Sequence, residues 1–332
     1  MNQSLRDLCE LQIENERIIR GVSFLEDGNV IKVGALFYTM GKATADPEKI
    51  RASKEILKRK TGIFSNFRGL LKFAIQVKLS SEPDPEAYLD HVLGIYDKLA
   101  AGRILPGEIL AMTAMTVYDQ LDGRDADSAV ATIKEVYARI KQKHRFLTDE
   151  NDLSYIAMMV LSGKDVDQTV EEVESLYVAL KERFRIPSDT AQSVALILSM
   201  SKKPVEQKAE NYIGLYKALK EAKHATSKQK VMSVYAAFAD LDISRDLLVE
   251  EIGEVEGWLS HQKGYGLLSS SDVRRVMAAT LVLQYHGEQG TVAVQTEAST
   301  VASQVIAEDV IFTMIMLIAV SASVSSAASR SS

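Results

Sequence analysis

Tyr88–Leu99 reads YLDHVLGIYDKL, Ala129–Ile140 reads AVATIKEVYARI, Thr169–Leu180 reads TVEEVESLYVAL, and Lys208–Leu219 reads KAENYIGLYKAL. Stacked on one another, these four stretches bring Tyr96, Tyr137, Tyr177 and Tyr216 into register, 41, 40 and 39 residues apart. Three places after each tyrosine stands an aliphatic residue: Leu99, Ile140, Leu180 or Leu219. Self-similarity at a fixed period of this size is the mark of a repeat array. Counting outward by the same period reaches Leu57 in IRASKEILKRK on one side and Val255 in EEIGEVEGWL on the other. Both flanking copies lack the tyrosine, as expected of terminal repeats that meet solvent or a cap.

Each copy is helical. Val166, Val170, Val173, Leu176, Tyr177, Leu180 and Phe184 recur at intervals of three, four and one, which lines up one helix face and does not fit strand alternation. Asp165 precedes this helix as an N-cap, and Asp46-Pro47-Glu48 and Asp84-Pro85-Glu86 add a proline at the first helical position, where no N–H is needed. Between the long helices run shorter periodic segments. Examples are Leu153, Ile156, Ala157 and Val160; Ala191, Val194, Ala195 and Leu198; Val231, Val234, Tyr235 and Phe238 after Ser227; and Val273, Val276, Met277 and Thr280. Short connections make neighbouring helices antiparallel.

The expected fold is therefore all-α: a helical-repeat solenoid of about six two-helix repeats, preceded by an N-terminal helix over 3–20. The solenoid occupies 1–290, its repeats run over about 30–286, and an apolar helix with a Ser/Ala-rich tail follows over 291–332. Six pairs spaced roughly 10 Å between axes would make a rod or arc of about 60 Å. In such an array a central position matters more than a terminal one, so Tyr177→Ala is expected to destabilise more than Leu57→Ala.

Apolar residues form 46% of the chain and charged ones 25%, as in a folded globular protein. A net charge of −6 argues against a dedicated nucleic-acid binder, whose phosphate contacts call for a basic domain. With Cys9 the sole cysteine there is no disulfide framework, which fits a reducing cytoplasm. Met1–Arg20 carries too many charges for a secretory signal.

The stretch Thr61–Gly69 (TGIFSNFRG), followed by a helix-pair array of this length and an apolar, Ala/Ser-rich C-terminus, resembles domain-of-unknown-function family 4003. Ile63-Phe64-Ser65 and Phe67-Arg68 are the most specific part of the likeness. The resemblance implies a bacterial, cytosolic helical protein and brings no activity with it.

Chemistry-bearing motifs are sparse. The five histidines are scattered, so neither metal nor cofactor is expected, and His144, His224 and His261 fall near helix C-termini, whose carbonyls a histidine complements. Gly41-Lys42-Ala43-Thr44 lacks the first glycine of a phosphate loop, and Ser227 with Lys230 reads as a helix start rather than a nucleophile pair. Cys9, near Leu5 and Leu8, reads as a small core residue. Asp125 with Asp127 and Asp165 with Asp167 sit at helix starts, where the dipole accounts for them.

Acids open the long helices and bases close them. Lys141, Lys143, Arg145, Lys181, Arg183, Arg185, Lys220 and Lys223 thus form a candidate basic edge for an acidic partner, a phosphate-bearing ligand or a membrane surface. Solenoids expose an extended face and commonly hold a protein or peptide, so the expected role is a non-enzymatic interaction scaffold. The alternative, an enzyme or small-ligand binder with a site assembled across repeats, would need a deep polar pocket with a perturbed acid or base.

The tail leaves three readings open. Val310–Val320 is apolar all round but spans only about half of what a bilayer core requires, and serines dilute the stretch up to Ala328. Packing on the solenoid, self-association into a homo-oligomer, and anchoring at the cytoplasmic face of a membrane through Val310 to Ala328 are all compatible with it.

Overall fold

A computed structural model describes residues 1–23, 25–69, 71–102, 104, 107–144, 148, 152–201, 203–225, 229–266 and 271–293. The tail segment Val310–Ala328, Arg145 and Ser227 lie outside these residues. Among the described residues all regular structure is helical. The long members are α1 (Gln3–Val22), α3 (Pro47–Lys60), α5 (Pro85–Ala100), α7 (Ala126–Lys143), α9 (Val166–Glu182), α11 (Val205–Glu221) and α12 (Arg245–Ser260). Alternating with them are α2 (Gly28–Met40), α4 (Lys72–Ser81), α6 (Glu108–Asp119), α8 (Asp152–Leu161), α10 (Ser188–Met200), a 3-10 segment (Gln229–Asp240) and α13 (Ser271–Ala293).

The helix starts follow the sequence. Asp165 accepts from the Gln168 amide at 2.8 Å, Asp84 from Ala87 at 3.0 Å, and Asp46 from Glu48 and Lys49 at 2.9 and 3.2 Å. Gln229–Asp240 departs from expectation, because it winds as a 3-10 coil where the periodicity predicts an α-helix. Three residues per turn bring the buried Met232, Tyr235 and Phe238 onto one side, so the apolar spacing suits either winding.

The long helices are amphipathic, whereas α8 and α10 are buried nearly all round. This separates two layers. Each long helix packs on the following alternate member, from α1 with α2 through to α12 with α13, and α13 takes the short member's place although it is 23 residues long. Long helices also touch in chain order, α1 with α3, α3 with α5, and onward to α11 with α12. Short members do the same from α6 to α13, and α2 packs on α4. Lys78 of α4 reaches Asp119 of α6 at 3.0 Å, and Tyr38 and Ser80 join the ends of α2 and α4 at 2.8 Å.

The first and last pairs also meet, since α1 packs against α13. Asn2 donates to the Tyr285 hydroxyl at 3.0 Å, the Met1 amine pairs with Glu254, and the Tyr265 hydroxyl donates to buried Glu16 at 2.5 Å. The expected rod or arc of about 60 Å is therefore corrected to an array whose first and last pairs meet. Among the described residues seven pairs close on themselves, the additional one being α1 with α2, and Leu57 is not terminal but lies in the core at 2% exposure.

Candidate functional site

Each long helix packs on the member that follows it in the chain, so the ends of the long helices and the starts of the members after them share one rim. Side-chain contacts agree with that placement. Lys32 at the start of α2 lies beside Gly264 of the α12–α13 connection, and Arg275 at the start of α13 donates to the Lys223 carbonyl at 2.9 Å.

On this rim the Thr61–Leu71 connection is held at many points. Thr61 caps α3 by donating to the Leu57 carbonyl at 2.5 Å, and Arg68 folds back to the Thr61 carbonyl at 3.4 Å. Ser65 opens a short 3-10 turn (Asn66–Arg68), whose Asn66 donates to the Tyr96 hydroxyl at 2.6 Å. Phe67 is buried and meets the Tyr96 ring edge-on at 5.2 Å. Glu108 at the start of α6 accepts from the Leu71 amide at 2.8 Å and lies so close to Gly69 that a side chain there would collide with its carboxylate. A loop fixed this way turns Ile63 and Phe64 outward at 72% and 95% exposure. Leu25, in the neighbouring α1–α2 connection, is 84% exposed.

The sequence profile of a family described as a protein of unknown function, domain-of-unknown-function family 4003, matches residues 19–310. The chain belongs to this family. No curated protein and no solved structure matches it. The match to family 4003 takes in the exposed loop and every pair from α2 onward.

The bases predicted as an edge divide into two groups. Along the outer wall, bases late in one long helix reach acids early in the next: Lys60 to Asp90 at 2.7 Å, Arg139 to Asp167 at 2.6 Å and Arg183 to Glu210 at 3.3 Å. Lys181 donates to Ser188 and Lys141 to the Tyr137 hydroxyl, which keeps both against the wall. Lys143, Arg185, Lys220 and Lys223 are exposed and enter none of these pairs. Arg185 and Lys223 carry φ of +57° and +65° where α9 and α11 end, the left-handed conformation that favours glycine. The end of α5 does place Gly102 in that region, at φ +107°.

Histidines here bridge pairs rather than only facing carbonyls. His144 caps α7, meets Glu174 at 2.9 Å and lies 4.5 Å from the Tyr177 ring. His224 meets Glu256 at 2.8 Å, in space left by Gly253. His261 does meet a carbonyl, that of Gly257, at 2.9 Å.

Perturbed titratable groups occur inside, and among them Glu16, Lys32, Lys78 and Lys208 sit within polar networks. Burial raises Glu16, against the attraction of Lys32, and lowers Lys32, whose ammonium lies 4.7 Å from the Tyr265 ring centre. Burial lowers Lys208, which binds Glu172 and the Ser201 carbonyl. Burial alone would lower Lys78, but Asp119 and Glu82 raise it above the ordinary lysine range. Burial pushes the Cys9 thiol up to about 12, in keeping with a core residue. Among the described residues no group of three His, Cys, Asp or Glu side chains could hold a metal ion, and no helix is long and apolar enough to cross a membrane.

Ile63-Phe64 belongs to a motif visible in the sequence, yet the motif by itself assigns these residues no role. The signal that could have found them is two apolar residues between helix stops, outside any helical period. Leu25 carries the same signal and escapes a reading based on periodicity.

Proposed function

We propose that this protein is a non-enzymatic interaction scaffold, built on a closed helical-repeat array, that holds an acidic partner on the rim where the long helices end. The observation that carries the reading is Phe64. A phenylalanine at 95% exposure on a loop tied down by Asn66, Phe67, Arg68 and Glu108 has no intramolecular use for its ring. Large exposed apolar side chains on fixed supports are what binding surfaces present. Lys143, Arg185, Lys220 and Lys223 stand on the same rim and make its sector at the ends of α7, α9 and α11 basic. The bases that join the outer wall contribute to the scaffold instead, each surface pair adding about 0–1 kcal/mol.

A photo-reactive amino acid placed at Phe64 in cells tests this reading, with Leu247 on the opposite rim as the control. Adducts to another molecule at position 64 and none at 247 are expected. Equal labelling at both positions, or none at either, rejects the rim as the interaction surface.

A further inference from the structure

The chemistry of the rim defines the partner more narrowly. We propose that the acidic partner is the headgroup layer of an anionic bilayer, on which the protein docks by its long-to-short rim with Leu25, Ile63 and Phe64 as the inserted tips. This proposal rests on the interaction reading above and specifies its occupant.

Three observations favour a lipid surface over a peptide. First, the exposed apolar residues stand at the tips of two neighbouring connections, whereas a peptide ligand is usually held in a groove between side chains. Protruding aliphatic and aromatic tips match the interfacial zone of a bilayer, where an apolar body is buried just below the headgroups. Secondly, the exposed bases are spread over the ends of three successive long helices, α7, α9 and α11, instead of being gathered around one pocket. Diffuse positive charge on the same rim as the apolar tips is an arrangement that anionic lipid attracts, each base near the surface adding roughly a fivefold gain in binding. Glu26, Asp27, Glu182 and Glu221 also lie on this rim and equal the four exposed bases in number, so the attraction is local, at the ends of α7, α9 and α11, where four bases stand against Glu182, Asp189 and Glu221. Thirdly, Arg185 and Lys223 keep long cationic side chains in a backbone conformation that glycine adopts without strain, although the array accepts glycine at the end of α5. Lys42 and Asp122 carry positive φ on the opposite rim as well, so it is the shared rim position of Arg185 and Lys223, and not the strain alone, that points to use of their charge.

The test is vesicle co-sedimentation of the full chain. One set of vesicles is phosphatidylcholine alone, the other equal parts phosphatidylcholine and phosphatidylglycerol. Binding to the anionic vesicles only, weakening as salt is added, is expected for the wild type. Ile63→Ser with Phe64→Ser should lower binding at least about tenfold, since even one apolar side chain withdrawn from contact accounts for that. Arg185→Gly with Lys223→Gly should lower it about fivefold per charge without endangering the fold, because glycine suits both positions. Wild-type-like binding by both double variants, or equal binding to both vesicle types, would overturn the proposal and move the contact elsewhere, for instance to Val310–Val320. If no vesicle binds, a poly-glutamate peptide separates the two readings. Peptide binding that the glycine variant loses retains the acidic-partner reading and rejects the bilayer, while no binding to either rejects both.

Discussion

Phe64 and Phe67 are three residues apart in one loop and have opposite fates. Phe67 is 1% exposed against Tyr96, so Phe67→Ala should cost about 3–5 kcal/mol in urea unfolding, through lost burial and the cavity left behind. Phe64→Ser removes no protein contact and should change stability by no more than about 0.5 kcal/mol. A large loss from Phe64→Ser would show that its ring packs on the protein. Arg185→Gly and Lys223→Gly should each raise stability by about 1 kcal/mol by relieving the left-handed backbone. A fall in the unfolding midpoint would mean that the side chains contribute more than their backbone strain. Two of the four repeat tyrosines share one packing role. Tyr96 packs on Phe67 and accepts from Asn66, and Tyr177 packs on His144, so each reaches back to the connection of the preceding pair. Such contacts leave Tyr177 half-buried while Leu57 lies in the core, which reverses the expected order of sensitivity. Leu57→Ala should therefore cost about 2–5 kcal/mol and Tyr177→Ala less.

At the scale of elements, α1 explains why one pair is invisible to periodicity. Counting 39 residues back from Leu57 falls on Ile18 in this helix, yet the face it buries includes Gln12, Asn15 and Glu16. An apolar stripe cannot be seen where the packed face is polar. Gln12 donates to the Lys32 carbonyl at 3.2 Å, and Asn15 accepts from the Ala45 amide at 2.7 Å, so these groups find their partners in α2 and in the connection from α2 to α3. Glu16 gives this interface a pH dependence. Its folded-state pKa is raised above 4.5 by burial, so its contribution is fully present below about pH 4.5, where both folded and unfolded forms are protonated. That contribution is lost as pH rises from there through the folded value, because the unfolded chain ionises first. Glu16→Gln cannot ionise, so its stability relative to wild type should increase from pH 4.5 towards neutrality. Urea midpoints taken across that range check the sign, and a difference independent of pH would mean that Glu16 titrates as it does in the unfolded chain.

For the whole molecule, closure is the property that an open array lacks. A zero-length amine-to-carboxyl cross-linker should join the Met1 amine to Glu254 within the monomer, a product that peptide mapping would reveal. Its absence, in a chain otherwise folded, would return the molecule to an open arc. Closure also changes the meaning of the flanking copies. The missing tyrosines around Leu57 and Val255 suggest solvent-facing ends, but α3 packs between α1 and α5, and α12 between α11 and α13.

Periodicity, caps and turn residues are local properties, and from them the all-helical class, the pairing of long and short helices and most helix starts were legible in the sequence alone. Asp46, Asp84 and Asp165 act on amides two or three residues away, so nothing distant could alter their role. The candidate rim was legible in part: its bases stand out in the sequence, but not which of them the neighbouring long helix would neutralise. Tertiary structure alone decided closure, because Tyr265 and Glu16 are 249 residues apart and no local pattern records their meeting. It alone decided that Phe64 faces outward and Phe67 inward as well. Both are apolar loop residues of one type, and only the positions of Tyr96 and Glu108, supplied by the next pair, distinguish them.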